Sequence, residues 1–599
     1  MTRRRILVLQ LCRMGDILQT TPVLRRLRRA DPESEIHLVV ADAFAGVPIP
    51  TTLYDRLHVF PHVSLGRMLA ESPNDAARPL AALREFVAEL GAVEFDFAVS
   101  LTPDDVADLL MFLVPARARA GSVATPRRQR AVYGGWMQYF WATARTRALR
   151  AFNLVDMYTW AAGAACDGGS LEMDVSREAR GRMNAWLNEQ GAGERPLVAL
   201  QLGASEPGKQ WPTEQFAAMA DEFAAGAADF VLVGTRNERP LAERFLTASR
   251  RRALDAVGLT TLPELGALLE RCRVLVTNDT GTMHVAVAVG TPVVGVTVGQ
   301  VLVHETGPYG PGHLIIEPEI SCFPCSASAE CHHRGCHDFL APRDAAAVVA
   351  HLMAGEGEVP RIAGGRVLHS RRAPSGRIEY VPVHNDQVRP SDVLRSMSAA
   401  VWEESLGVPP PTEAPGCVAP PTESEATLTC SPDLLASEFE HLNHVAAEAE
   451  SAARVVRRLL KASRGEQAAL ATRAHQHLEH LLLLGEVSRV CLPIVSFLSH
   501  EIDAVDTTEL GALVRAQAAA YDGAASRASR FARLVQGGAD SASGVARSTS
   551  RRGQADPPPV SRSPRRRQPV DTPQTPSVHH AGPSRPAEPL LTRERAKET

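Results

Sequence analysis

Residues 6–26 read ILVLQLCRMGDILQTTPVLRR. A nearly continuous apolar run, Ile6–Leu11, passes through Cys12-Arg13-Met14-Gly15 into a stretch with helical spacing that opens at Asp16. A short unbroken run of this kind reads as a strand covered on both faces. Gly15 allows a sharp turn out of the strand. Asp16 then stands at a helix start on the carboxyl edge of a sheet, where open α/β sheets place their ligands. Two roles stay open for it. It can cap the helix, a contribution of about 1 kcal/mol, or accept a proton from a substrate hydroxyl. The positive helix end predicts a depressed pKa that keeps the carboxyl ionised.

The same unit recurs outward from this stretch. Further strands are expected at Ile36–Val40, Leu57–Phe60 and Phe95–Leu101. After about residue 195 the series restarts with Leu197–Leu202, Phe230–Val233, Val274–Thr277 and Val293–Val296. Helical stretches such as Val23–Arg29, Leu80–Leu90 and Glu214–Ala225 lie between them. Two alternating series imply two Rossmann-like α/β domains in tandem, expected at residues 1–175 and 176–358. Residues 359–407 read as a hairpin and helix appendage. Residues 408–432 form a Pro-rich linker, 433–537 a helical segment with Leu442, Val445, Ala449, Ala452, Val456 and Leu459 on one face, and 538–599 a disordered Pro/Ser/Arg-rich tail.

A length of 599 residues, 45% apolar and 22% charged, with a net charge of −4, describes an ordinary multidomain globular chain. Nothing in that balance draws it to nucleic acid. No window approaches the roughly 20 apolar residues that span a bilayer. The basic start is followed by too short an apolar run for a signal peptide. A cytoplasmic protein with reduced cysteines is the expectation.

Of 64 basic residues only Lys209, Lys461 and Lys597 are lysine. A lysine kept in so arginine-rich a chain suits a compact ammonium against a phosphate. Lys209 lies in Gly203-Ala204-Ser205-Glu206-Pro207-Gly208-Lys209-Gln210-Trp211-Pro212, a small-residue loop leaving a strand. Such a loop can cradle a phosphate with backbone N–H groups, although a solvated surface lysine is the plainer alternative. Asn278-Asp279-Thr280-Gly281-Thr282-Met283-His284 follows another strand and opens a helix. Its N–H groups at Thr280, Gly281 and Thr282 form an anion site, or the loop only caps the helix. His284 is either a ligand contact or a histidine satisfied on the helix face.

Three stretches carry a family resemblance: the opening ILVLQLCRMGDILQTTPVLRRLRRADPESEIHLVV, Lys209-Gln210-Trp211-Pro212, and Asn278–His284 followed by Gly290-Thr291-Pro292. In order and spacing, residues 5–355 resemble glycosyltransferase family 9, the lipopolysaccharide heptosyltransferases. The resemblance implies a GT-B fold, two Rossmann-like domains facing across a cleft, with the C-terminal helical extension and tail lying outside the family. It implies Asp16 as general base. Lys209, Asp279, Thr280, Gly281, Thr282 and His284 would hold the donor diphosphate, and Glu238 in Gly234-Thr235-Arg236-Asn237-Glu238 the nucleotide ribose. It further implies an inverting, metal-independent transfer of heptose or a related sugar from an ADP-linked donor to lipopolysaccharide core or another surface glycan, at the cytoplasmic face of the inner membrane. A catalytically silent scaffold recruiting partners through the C-terminal extension is the alternative, as is a transferase using another nucleotide-sugar or a protein acceptor.

On the acceptor side the candidates are Gly15, Arg117, Arg119 and Arg127. Residues 117–150 hold eight arginines, no acidic residue, and aromatics at Tyr133, Trp136, Tyr139, Phe140 and Trp141. That stretch reads either as an amphipathic segment on an anionic membrane or as a solvated arginine face over a packed helix. Cys322, Cys325, Cys331 and Cys336, with His332, His333 and His337, supply enough ligands for structural zinc, but the spacing favours packed thiols over a metal. His475, His477 and His480 are expected to face solvent. No cofactor is expected, and the partner of the C-terminal extension is left open.

Overall fold

The computed structural model describes residues 3–126, 129–325, 331, 333–408, 432–505 and 509–551. The described residues up to 547 form one compact unit. The first sheet holds β1 (Arg5–Gln10), β2 (Glu35–Ala41), β3 (Arg56–Phe60), β4 (Phe95–Ser100), β5 (Ala116–Ala124) and β6 (Arg130–Tyr133), in the order β3-β2-β1-β4-β5-β6. β6 runs antiparallel to β5, and the other pairs are parallel. Ile6, Leu7, Val8 and Leu9 are all buried, as a strand with both faces covered requires.

The second sheet holds β7 (Leu197–Gln201), β8 (Asp229–Val233), β9 (Ala253–Asp255), β10 (Val274–Thr277), β11 (Val293–Val296), β12 (Leu314–Pro318), β13 (Gly365–Arg372) and β14 (Ile378–Pro382). Its order is β14-β13-β12-β11-β10-β7-β8-β9. In both sheets the strand order reverses beside the first strand of the series. The crevices therefore open beyond the carboxyl ends of β1 and β4, and of β7 and β10.

Two expectations change. The 359–407 segment is a hairpin and a helix, but it is built into the unit. β13 pairs antiparallel with β12 and covers an otherwise open edge. Helix Pro390–Leu406 crosses to the first lobe, where Trp402 is buried 5.1 Å from the Tyr139 ring. The arginine-rich stretch 117–150 is not one amphipathic helix. It contains β5, β6, helix Gly135–Ala142 and a 3-10 segment Ala144–Leu149. Trp136, Tyr139 and Trp160 are core residues, so these rings are not a lipid-facing surface. In β5 Arg117 and Ala118 are exposed, Arg119 is half-buried, and Ala120 to Val123 are buried, so the arginines lie at the start of a strand and not along a helix face.

Helices Pro432–Arg458, Arg464–Val487, Cys491–Asp503 and Leu510–Arg551 follow. The expected face from Leu442 to Leu459 is buried. The bundle packs on the first lobe. Phe497 lies 4.9 Å from Trp402, Arg527 stands over Phe497 and bonds Ser405 and Glu501, and Gln138 Nε2 donates to the His500 carbonyl. Residues 538–551 continue the last helix past its expected end, while residues 552–599 and the linker residues 409–431 lie outside the described residues. His475 and His480 face solvent, but His477 is half-buried and bonds Glu448 at 2.7 Å. Among the described residues no helix is long and apolar enough to cross a membrane.

The lobes are joined by buried polar contacts. Arg147 and Arg150, from the first lobe, each reach Glu305 of the second at 2.8 Å. Asp156, in helix Leu154–Ala161, accepts from Tyr309 Oη at 2.6 Å and from the Ile378 N–H at 3.2 Å. Burial pushes its carboxyl up to about 7, against the lowering effect of those donors. The folded chain then keeps a proton that an unfolded aspartate releases near pH 4, so this group's contribution falls as pH rises from about 4 to about 7. Asp156→Asn should flatten the decline of melting temperature across that window. An unchanged slope would contradict the assignment.

Candidate active site

Helix Met14–Gln19 starts directly after β1 with Asp16 in its first turn. The N-cap is Arg13, not Asp16: Asp16 is the third residue of the helix, and its Oδ2 accepts from the Arg13 N–H at 3.1 Å as the acidic half of a capping box. The carboxyl is nevertheless raised above its ordinary value, not depressed. Burial is the main cause, and the charge of Asp279 adds to it, while Arg13 acts in the opposite sense. Desolvation outweighs the helix end here. A base with a raised pKa holds a proton better than an ordinary aspartate.

Asp279 belongs to the other lobe, at the carboxyl end of β10. Helix Gly281–Ala288 begins beside it, and no side chain caps that helix. No side chain competes for its first N–H groups, the kind of helix start that takes an anion. The two helix starts meet. A Cβ on Gly15 would lie 2.6 Å from the His284 ring, and one on Gly281 would lie 2.6 Å from the Met14 methyl. His284 is buried, and burial lowers its pKa to about 4, so the ring is neutral and packs as an inter-lobe contact.

Lys209 ends a 3-10 turn, Pro207–Lys209, after β7. Its ammonium lies 4.0 Å from Asp279 and 3.7 Å from Glu206. Asn278 fixes this geometry. Its Oδ1 accepts from the Trp211 N–H at 2.9 Å, and its Nδ2 donates to the Leu202 and Gly203 carbonyls at 3.0 and 3.1 Å. One fully buried amide thus ties the strand end, the lysine loop and the helix start together. His337 Nε2 bonds the Gly208 carbonyl at 3.2 Å, and Cys325 N–H donates to Gly299, which touches Gly208. The cysteine-rich stretch braces the lysine loop from outside.

Glu238 sits beyond β8. Its Oε2 accepts from Thr235 N–H at 2.6 Å and Thr235 Oγ1 at 2.9 Å, and its Oε1 from Gln201 Nε2 at 2.7 Å. Thr282 Oγ1 donates to Gln201 at 2.9 Å, so its hydroxyl is turned inward, while Thr280 Oγ1 lies 3.1 Å from Thr277 Oγ1. Arg117 lies at the opposite edge of the first sheet from Asp16, paired with Glu94 and Asp96. Arg119 bonds the carbonyls of Met111, Val114 and Ala116. Neither faces the crevice, and Arg127 lies outside the described residues. Cys336 is buried and Cys325 half-buried, and burial raises both thiols. Cys322 Sγ lies 3.7 Å from His333, and His332 is outside the described residues. Among the described residues no group of three or more His, Cys, Asp or Glu has the geometry to hold a metal ion.

Arg13, Asn278 and Gln201 were not singled out in the sequence. Arg13 neighbours the aspartate, but only the folded chain shows its charge acting on both Asp16 and Asp279. Removing Asn278 leaves two carbonyls and one N–H without partners, each costing about 1–3 kcal/mol when buried. Asn278→Ala should lower stability by about 2–4 kcal/mol in urea titration. A loss under 1 kcal/mol would mean that other contacts hold the loops.

The model of glycosyltransferase family 9 (heptosyltransferase) matches residues 83–334. Lipooligosaccharide heptosyltransferase 2 of Haemophilus influenzae is 33% identical over 107 residues, 17% of this chain and 31% of that protein. Lipopolysaccharide heptosyltransferase 3 of Escherichia coli is 25% identical over 288 residues, 47% of this chain and 79% of that protein. The chain thus spans about a third of the first relative's length and most of the second's. A solved family 9 glycosyltransferase from Veillonella parvula aligns with 21% identity and a TM-score of 0.47, covering 59% of this chain and 98% of that one.

Proposed function

We propose that this chain, whose residues 83–334 match glycosyltransferase family 9 (heptosyltransferase), is an inverting, metal-independent glycosyltransferase of that family. It transfers heptose or a related sugar from an ADP-linked donor to lipopolysaccharide core or another cell-surface glycan. One observation carries the reading: the Asp16 helix and the Asp279–Thr282 helix start meet across the lobes at Gly15 and Gly281. A proton acceptor thus faces an uncapped helix start with Lys209 beside it.

In this reading the acceptor hydroxyl attacks the anomeric carbon. The new C–O bond forms as the bond to the diphosphate oxygen breaks, the electron pair leaves on the diphosphate, and Asp16 takes the hydroxyl proton. Charge grows on the departing diphosphate. Lys209 and the N–H groups of helix Gly281–Ala288 stabilise it electrostatically, the role a divalent cation fills in other transferases. Glu238 takes the ribose. His284 and Met14 close the crevice around the reacting atoms and limit donor hydrolysis. The reading puts this reaction on the cytoplasmic side because its donor is a nucleotide-sugar.

ADP release from ADP-heptose in the presence of heptose-deficient lipopolysaccharide tests the reading. Asp16→Ala should lower turnover by about 10²–10⁴-fold with the fold intact. Absence of turnover by the wild type with heptose and other nucleotide-sugars, or an Asp16→Ala variant as active as wild type, would favour a silent scaffold. Activity should persist in EDTA; a loss that magnesium restores would contradict the metal-free mechanism. Lys209→Ala should weaken ADP binding about tenfold to a hundredfold in calorimetry, the scale of a charged hydrogen-bond partner. Unchanged affinity would remove Lys209 from the site.

The acid limb of kcat/KM should lie above the ordinary aspartate value of 3.8, because Asp16 must be ionised and its pKa is raised. Arg13→Ala removes a charge that lowers that pKa, so the limb should move to higher pH. A limb that stays put or moves down would dissociate Asp16 from the pH profile.

A further inference from the structure

We propose that Gln201 is a positioning residue for nucleotide recognition: its amide locks Glu238 with a single acceptor site left for a ribose hydroxyl, and links that site to the diphosphate loop. The inference rests on the donor-site reading above.

Gln201 is the last residue of β7 and is 3% exposed. Its amide orientation follows from its neighbours. A carboxylate only accepts, so Nε2 faces Glu238 and Oε1 faces the Thr282 hydroxyl, which must then donate. The Thr282 proton is spent inside the protein, and the anion is left to backbone N–H groups.

The carboxylate of Glu238 offers about four lone-pair sites. Thr235 fills two on Oε2 through its N–H and hydroxyl, and Gln201 fills one on Oε1. The one acceptor position left belongs to the oxygen that Gln201 holds. The backbone makes room for this arrangement. A Cβ on Gly203 would lie 1.7 Å from Oε1, and one on Gly234 would lie 2.8 Å from Oε2. Gly234 also has φ +157°. The carboxylate is thus seated between two glycines, pinned on one side by its own capping box and on the other by Gln201. Without the amide, Oε1 loses its only protein donor among the described contacts and can swing from the ribose position. The same amide accepts from Thr282 in the first turn of helix Gly281–Ala288, so the ribose and diphosphate ends share one hydrogen-bonded link.

Calorimetry on the full chain with ADP and with 2′,3′-dideoxy-ADP tests this. The wild type should prefer ADP by about tenfold or more, the scale of a hydrogen bond to a charged acceptor. Gln201→Met, near in size but without the amide, should reduce that preference to about threefold or less, with dideoxy-ADP affinity changing less than ADP affinity and the melting temperature lowered because Glu238 and Thr282 each lose a partner. Gln201→Glu supplies a second arm if the methionine variant does not fold. A carboxyl at this position donates to Glu238 only while protonated, so the preference should vanish at pH 8 and recover toward pH 5. A merely structural role does not produce that pH dependence. If the wild type binds neither nucleotide, the donor reading falls and this proposal with it. If it binds both equally, the ribose role of Glu238 falls. If it discriminates and both variants discriminate equally well at pH 8, the donor reading stands and the role of Gln201 is overturned.

Discussion

The close approach of two helix starts from opposite lobes is the constraint on which the rest depends. Gly15 and Gly281 face His284 and Met14 with no room for a further carbon. A larger residue at Gly15 collides with the buried His284 ring, whereas one at Gly281 displaces the flexible end of Met14. Because the helices meet at their amino ends, two positive dipole ends are brought together, and Asp16 and Asp279 stand where that field needs negative charge. Burial raises both carboxyls, and Lys209 holds Asp279 against that tendency. The crevice is a place where protons and anions are both poised. The contacts of Arg147 and Arg150 with Glu305, and of Tyr309 with Asp156, tie the same two lobes together elsewhere.

Around that contact the chain uses a few buried amides to keep loops from three strands in register. Asn278 joins the end of β7 to the lysine loop and the helix start. Gln201 joins the end of β7 to Glu238 and Thr282. An amide suits this work because it donates at one end and accepts at the other, without the desolvation cost of a charge. The cysteine-rich stretch contributes through His337 and Cys325, which hold the outer side of the lysine loop.

The arginines are put to structural use. Arg119 gathers the carbonyls at the end of helix Asp105–Leu113, Arg130 pairs with Asp105 and Asp108, and Arg150 is buried against Glu305 and Phe140. Of the aromatic residues that looked available for a membrane, Trp136 and Tyr139 are buried, with Tyr139 against Trp402 of helix Pro390–Leu406, while Tyr133, Phe140 and Trp141 are half-buried. The bundle extends the first lobe's core; it does not hang from it as a separate arm.

Continuous apolar runs such as Ile6–Leu11 and Val274–Thr277 made both sheets legible, because a strand buried on two faces has no polar side to disguise it. The local chemistry of Asp16, the lone lysine of the first 460 residues and the helix start at Thr280 was legible for the same reason: each lies within a few residues of its strand end. Residues far apart in the chain were not. Whether Arg117 and Arg119 reach the crevice depends on which end of β5 they occupy, and strand direction within a sheet is a tertiary property. The sign of the Asp16 shift depends on how much water the second lobe excludes, which local spacing cannot report. Local spacing alone was enough for two Rossmann-like sheets and the residues at their carboxyl edges. Which of those residues meet followed from packing, because partners such as Gln201 at the end of β7 and Glu238 beyond β8 lie 37 residues apart in the chain.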